Sequence, residues 1–151
     1  MVVISLSGAG MIAEDHPVMV SLSDVRGIER ADLAAFRRLA RVYEGRRLPT
    51  HVETRPEGSC FASADELEQA GYGRRVRGFA VSPMSPLPVA HAWLTIGGWD
   101  AIDAVWANFG RTFPADCHYL GIKGWEDEHL LDRLSDAAQR AWRPWAWAGM
   151  N

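Results

Sequence analysis

The sequence predicts an α+β fold in which helices pack on an antiparallel sheet. Three observations carry this reading. Apolar residues recur at three- and four-residue spacing over Asp32–Glu44 and Asp127–Trp142, the period of a helix with one buried face. Over Val76–Ser82, Val76, Gly78 and Ala80 alternate with Arg77, Phe79 and Val81, the period of a strand. Two apolar runs, His91–Ile96 and Ala101–Trp106, flank Gly97-Gly98, a pair suited to a hairpin turn. The chain has 151 residues, 48% of them hydrophobic, which suits one compact domain over residues 1–151.

The elements follow in chain order. Residues 2–6 and 17–22 are short apolar runs and read as strands, separated by Gly8-Ala9-Gly10. In Asp32–Glu44 the apolar face is Leu33, Phe36, Leu39, Ala40 and Tyr43, arginines occupy the other face, and Gly45 suits the stop. Residues 46–58 contain Pro49, Pro56 and Gly58 and read as a loop. A second helix runs from Cys60 to about Ala70, with Phe61, Ala64 and Leu67 on one side, and Gly71-Tyr72-Gly73 ends it. Pro83, Pro86 and Pro88 mark a loop before the hairpin. The final helix carries a stripe of Leu130, Leu131, Leu134, Ala138, Ala141 and Trp142; Asp127 suits its cap and Pro144 its end.

A formal net charge of −3 argues against general nucleic-acid binding. The arginine clusters, Arg37, Arg38, Arg41, Arg46 and Arg47 and then Arg74, Arg75 and Arg77, read as a solvated helix face and a loop. The first seven residues lack the basic start and long apolar run of a secretory signal, and no stretch approaches the ~20 apolar residues of a membrane span. The expectation is a cytoplasmic protein with reduced thiols at Cys60 and Cys117, no membrane and no nucleic-acid partner.

Chemistry enters through Cys60, His91 and Asp103, in that order. Cys60 follows Gly58-Ser59 at the start of a helix, His91 opens the first hairpin strand, and Asp103 lies on the second. A thiol at a helix N-terminus beside an imidazole is shifted toward thiolate, and a carboxylate holds the imidazole in its working tautomer. The backbone N–H of Cys60 is a candidate oxyanion donor. A lone buried cysteine is more often a small apolar core residue. Asp103 amid apolar neighbours is odder, because a buried carboxylate needs a partner.

Hairpin register tests the arrangement. A strict two-residue loop at Gly97-Gly98 opposes His91 to Ala104 and sends Asp103 to the other face. A three-residue loop or a bulge shifts the register by one. Leu94 and Ile96 then share a face with Ile102 and Trp106, while His91, Thr95 and Asp103 share the opposite one. The apolar pattern favours the shifted register.

Four segments carry a resemblance: Cys60-Phe61-Ala62-Ser63-Ala64, Arg77-Gly78-Phe79-Ala80, His91-Ala92-Trp93-Leu94 and Ile102-Asp103-Ala104-Val105-Trp106. Together they resemble small phage and bacterial proteins of the papain-like and transglutaminase-like superfamily. There a "Cys-x-x-Asn-Ala" helix precedes strands resembling "Glu-Gly-Tyr-Ala", "His-Ala-Trp" and "Ile-Asp-Pro-Thr-Trp". Tyr119-Leu120-Gly121-Ile122 is similar to the "Tyr-x-Gly-Ile" segment that follows. The resemblance covers residues 58–122 and implies a papain-like catalytic core, with Cys60 as nucleophile, His91 as base and Asp103 as orienting acid. Ser63 departs from the Asn-like position, Arg77 from the Glu-like one, which bears on substrate choice, and Ala104-Val105 from Pro-Thr. Papain-like enzymes often place a Gln upstream of the cysteine as second oxyanion donor. Residues 47–59 contain neither Gln nor Asn, leaving His51, Thr54 and Ser59 as substitutes.

Cys117-His118 could join Cys60 or His91 on zinc, but the spacing fits no common zinc pattern. His129 reads as a solvent-facing residue of the last helix's first turn. Gly8-Ala9-Gly10 lacks the Gly-Lys-Ser/Thr of a phosphate loop, so neither metal nor cofactor is expected. Of seven tryptophans, Trp93, Trp99, Trp106 and Trp125 read as core. Trp142, Trp145 and Trp147 form either a tail folded back on the domain or a surface for a homodimer or protein partner. Two functions stand: a cysteine hydrolase or acyltransferase on a peptide, protein or amide substrate, and a catalytically silent binding or inhibitor protein on the same scaffold. A structural domain whose three residues merely satisfy one another is a third.

Overall fold

The computed structural model describes residues 12–123 and 127–150, for 142–150 the backbone alone. The class is α+β, as the periodicities predict. The elements are α1 (Pro17–Ser23), α2 (Arg30–Leu39), β1 (Arg41–Gly45), α3 (Cys60–Gln69), β2 (Arg74–Ser82), β3 (Ser85–Thr95), β4 (Asp100–Ala101), β5 (His118–Lys123) and α4 (Glu128–Met150). Two 3-10 turns, Trp106–Phe109 and Phe113–Asp116, precede β5. The sheet runs β3-β2-β5-β1-β4, antiparallel except for β1 with β4.

Several elements differ from the sequence reading. Residues 17–22 form a helix, not a strand. Pro17 sits in its first turn, His16 caps it by accepting the Val18 N–H on Nδ1 at 3.1 Å, and Val18, Met19 and Leu22 turn inward. Residues 2–6 lie outside the described residues. The Asp32–Glu44 helix ends at Leu39. Ala40 turns extended, and Arg41–Gly45 pairs with β5, Tyr43 opposite Tyr119. Tyr43 fits a helical stripe and a strand equally, and sheet pairing decides between them. Gly45 therefore ends a strand. A Cβ there would lie 1.8 Å from the Pro114 carbonyl oxygen, so only glycine fits. The expected proline loop is mostly strand. Pro86 and Pro88 lie on β3, at the sheet edge, where a missing N–H costs no ladder bond. α4 runs on through Pro144, although a proline there cannot donate to the carbonyl four residues back.

The two sheet faces have different jobs. On one, Phe79, Val81, Leu120 and Ile122 pack under α1, α2 and α4 through Val18, Leu22, Phe36, Leu131 and Leu134. Of the expected α4 stripe, Leu130, Leu131, Leu134 and Ala138 are buried, while Ala141 is exposed. The other face carries Tyr43, Val76, Ala80, Trp93 and Tyr119, joined by Cys117. Small residues hollow this second face. Gly78 lies opposite both His91 and Gly121, and the space a Gly121 Cβ would need is filled by the Trp93 ring. The hollow makes room for Tyr43, Trp93 and Tyr119, which pack edge to face at 5.8 and 4.9 Å between centroids.

α3 packs against β3 and β2. Leu67 joins Leu94, Ile102, Leu48 and Val52 in a third cluster. The Arg75 N–H donates to Glu68 Oε2 at 2.7 Å, and its guanidinium meets Asp65 at 3.1 Å and Glu128 at 3.5 Å. Arg75 is therefore a buried clamp between β2, α3 and α4, not part of a solvated loop.

Candidate active site

The loop before α3 delivers Cys60 to the first helical position. Gly58 takes φ +80°, open to glycine at little cost. The Ser59 hydroxyl donates to the Pro56 carbonyl at 2.5 Å, and the Ser63 N–H donates to the Ser59 carbonyl at 2.7 Å, opening the helix. Cys60 is half-buried, at the end where a helix leaves N–H groups without intrahelical partners. Ser63 and Ala64 pack inward behind it, while Phe61 is turned out under the Arg77 guanidinium, 5.4 Å above its ring.

His91 lies in the middle of β3 with 1% of its surface exposed. Its Nε2 is 2.7 Å from Asp103 Oδ2. The ring is hydrogen-bonded to Cys60, which leaves Nδ1 as the nitrogen on the thiol side. Trp106 stacks on the imidazole at 4.4 Å between centroids and 29° between planes, placing a π face against any charge on the ring.

Asp103 reaches His91 by the shifted register. Leu94 and Ile102 exchange both backbone hydrogen bonds, at 3.0 and 2.8 Å, and their side chains share one cluster. Beyond that single bridge the expected hairpin is absent. Asp100–Ala101 pairs with β1 instead, and the chain turns away at Asp103 into the first 3-10 turn. The carboxylate holds that turn, Oδ1 accepting the N–H of Val105 at 3.2 Å and of Trp106 at 3.0 Å. Trp106 thus leaves the Leu94 cluster for the His91 side, and Ile96 is 59% exposed. Thr95, expected beside His91 and Asp103, instead donates to Asp100 Oδ1 at 2.7 Å and holds the β3–β4 turn.

Nothing in the sequence placed Tyr119 or Trp106 against His91 and Asp103, and Trp106 read as core. The Tyr119 hydroxyl donates to Asp103 Oδ2 at 2.7 Å. A tyrosine in an apolar strand is itself a signal, because a buried phenol needs a hydrogen-bond partner. All four acceptances of the Asp103 carboxylate are therefore accounted for, two from backbone and two from side chains.

The electrostatics follow from these contacts. Burial disfavours a charged His91, but the Asp103 charge, its hydrogen bond and the Cys60 contact prevail and raise it to about 9. Burial pushes the Cys60 thiol up, yet the hydrogen bond and charge of His91, with a hydrogen bond from the Ala92 backbone, bring it below its ordinary value. Burial likewise raises Asp103, and the His91 charge and hydrogen bond, with the Trp106 N–H and Tyr119 hydroxyl, hold it below the usual carboxylate range. Both shifts run toward a thiolate–imidazolium pair: the imidazole favours loss of the thiol proton, and Asp103 and Cys60 favour a protonated ring.

The space beside the thiol is small. A void of about 10 Å³, lined by Cys60, Ser63, Ala64, Leu94 and Asp103 among others, holds at most one water. Of the expected substitutes for the second oxyanion donor, His51 stacks on Tyr72, beyond the far end of α3, at 6.0 Å. The Ser59 hydroxyl is bound to Pro56 and lies 2.8 Å from the Ser63 hydroxyl. Thr54 is exposed in the loop. Arg77 is tied to Asp132 at 2.5 Å and to Glu128 at 3.7 Å.

Cys117 and His118 diverge. Cys117 is buried against the Phe113 carbonyl, its Sγ 3.4 Å from the oxygen, whereas His118 is exposed and meets His16 edge-on at 5.9 Å. Among the described residues no three His, Cys, Asp or Glu side chains converge as a metal site. Nor is any described helix long and apolar enough to cross a membrane. Trp93 is core, Trp106 half-buried and Trp99 48% exposed under Arg46. Trp125 and the side chains of Trp142, Trp145 and Trp147 lie outside the described residues. His129 is exposed. No family model, curated protein or solved structure matches the chain.

Proposed function

We propose that this chain is a cysteine-dependent hydrolase or acyltransferase of the papain-like and transglutaminase-like kind, acting on an amide or related acyl bond. One observation carries the reading: a buried imidazole bonded to Asp103 through Nε2 at 2.7 Å and to the thiol of a helix-start cysteine on its other side. In the proposed reaction the Cys60 thiolate attacks the substrate carbonyl carbon. The developing oxyanion is met by the Cys60 N–H and the helix N-terminus. The His91 imidazolium gives its proton to the leaving amine as the C–N bond breaks, producing a thioester. His91, now neutral, takes a proton from water or an incoming amine, which attacks the thioester and releases Cys60. Asp103 keeps the ring oriented and stays ionised throughout. A peptide, protein or other amide is the substrate class, and a cytoplasmic setting keeps the thiol reduced.

The test is the rate of iodoacetamide alkylation of Cys60 against pH, with Cys117 as internal reference. Fast alkylation persisting well below a free thiol's pKa of about 8.5, and lost in His91→Ala, is expected. A Cys60 that reacts like an unfolded thiol in both chains would sink the enzyme reading and favour the binding protein.

A further inference from the structure

We propose that Tyr119 is a positioning residue of this site: its hydroxyl shares Oδ2 of Asp103 with His91 and so sets how strongly the carboxylate holds the imidazole. The catalytic meaning of this role rests on the function proposed above; the coupling itself does not.

The geometry singles out Oδ2. Oδ1 is engaged by two backbone N–H groups of the turn, so its partners cannot leave without unfolding that turn. Oδ2 has two side-chain donors, Nε2 of His91 and the hydroxyl of Tyr119, each at 2.7 Å. Donors on one oxygen divide its charge between them, and removing one strengthens the hold on the other. Tyr119 is fully buried on β5, opposite Ala80 and Tyr43, and its ring lies over the hollow of the sheet, 6.3 Å from the His91 ring.

The titratable groups facing this oxygen come from every element around it. Cys60 approaches from α3, His91 from β3 and Tyr119 from β5; Tyr43 on β1 lies opposite Tyr119. Cys117, just before β5, lies close enough to act on the phenol while its S–H donates to the Phe113 carbonyl, and Asp116 acts on Cys117. Neither Tyr119 nor Cys117 ionises near neutral pH, since burial first and the Asp103 charge second raise both. The phenol therefore acts as a fixed neutral donor across the range in which His91 titrates.

The experiment is a nitrogen-15 NMR titration of His91 in the full chain, compared with Tyr119→Phe. Loss of the hydroxyl leaves His91 as the one side-chain donor on Oδ2. The His91 titration, near 9 in the parent chain, is then expected to rise by roughly half a unit to one unit. Site-specific 3-fluorotyrosine at position 119, a stronger donor that keeps ring and hydroxyl, is expected to lower it. A titration that stays put or falls in Tyr119→Phe overturns the proposal. Should that variant misfold, the fluorotyrosine chain decides alone, and an unshifted or raised titration there overturns it. Alkylation of Cys60 in parallel separates the two claims. An inert Cys60 with a His91 titration that still follows Tyr119 removes the enzyme reading and leaves the coupling standing.

Discussion

Cys60 and Cys117 are the same kind of thiol at opposite ends of one row of interacting side chains that runs Cys60, His91, Asp103, Tyr119, Cys117. Burial acts against ionisation at both. At Cys60 the imidazole beside it overcomes burial and lowers the thiol's pKa. At Cys117 the charge within reach is the Asp103 carboxylate, which adds to burial and pushes the thiol to about 12. Position relative to His91, not burial as such, decides which thiol is lowered and which is raised. The ends also differ in access: Cys60 is half-buried at a helix start, whereas Cys117 is sealed beneath the second 3-10 turn.

The largest test of this contrast removes its cause. In His91→Ala the alkylation rate of Cys60 at pH 6 is expected to fall by roughly 100-fold, the scale of a lost acid–base partner, toward the rate of an ordinary thiol. Next comes Asp103→Asn, which keeps shape and removes charge. Its effect is read in the upper limb of the alkylation profile, expected to move from about 9 toward the ordinary histidine value of 6.5. Urea unfolding of the same variant should show a loss of about 3 kcal/mol, because a buried charged partner is left without its counterion.

A third test isolates the His91–Asp103 pair by deleting the thiol. In Cys60→Ser, His91 still has a folded pKa above its unfolded 6.5, so protonation stabilises the native state. That contribution is fully present below pH 6.5 and is lost as pH rises through the folded value. Stability of Cys60→Ser in urea is therefore expected to decline as pH rises above 6.5, over a window that ends below the parent's value of about 9 because Cys60 supplied part of that rise. Asp103, whose folded pKa is lowered, stabilises above about 3.8 and loses that contribution as pH falls. A flat profile from pH 6.5 to 9 would show that the pair carries no linkage. The smallest effect is at Cys117. Its native alkylation should remain slow up to pH 9, and urea should raise it to the level of any free thiol, because only folding protects it.

Much of the site was legible before the fold. The turn at Gly58-Ser59, the helix from Cys60 and the β2 strand follow from local signals, and the apolar match of Leu94 with Ile102 selects the register that sends Asp103 toward His91. The roles of Tyr119 and Trp106 were not legible. Each is brought to Asp103 or His91 by a different long-range event, pairing of β5 with β2 for the one and the turn at Asp103 for the other. The buried clamp at Arg75 was missed for a similar reason: its partners Asp65 and Glu128 lie on two helices that meet only in the folded chain.

By itself the sequence determined what depends on neighbours within a turn or two: helix and strand period, glycine-permitted turns, and a thiol at a helix start. Tertiary structure alone decided the rest. Val18–Leu22 became a helix and Arg41–Gly45 a strand because a short segment of mixed propensity takes whichever form buries its apolar face and pairs its backbone. Opposite shifts at Cys60 and Cys117 were likewise decided there, because a pKa answers to charges a few ångströms away in space, and those came from three separate segments, at His91, Asp103 and Asp116.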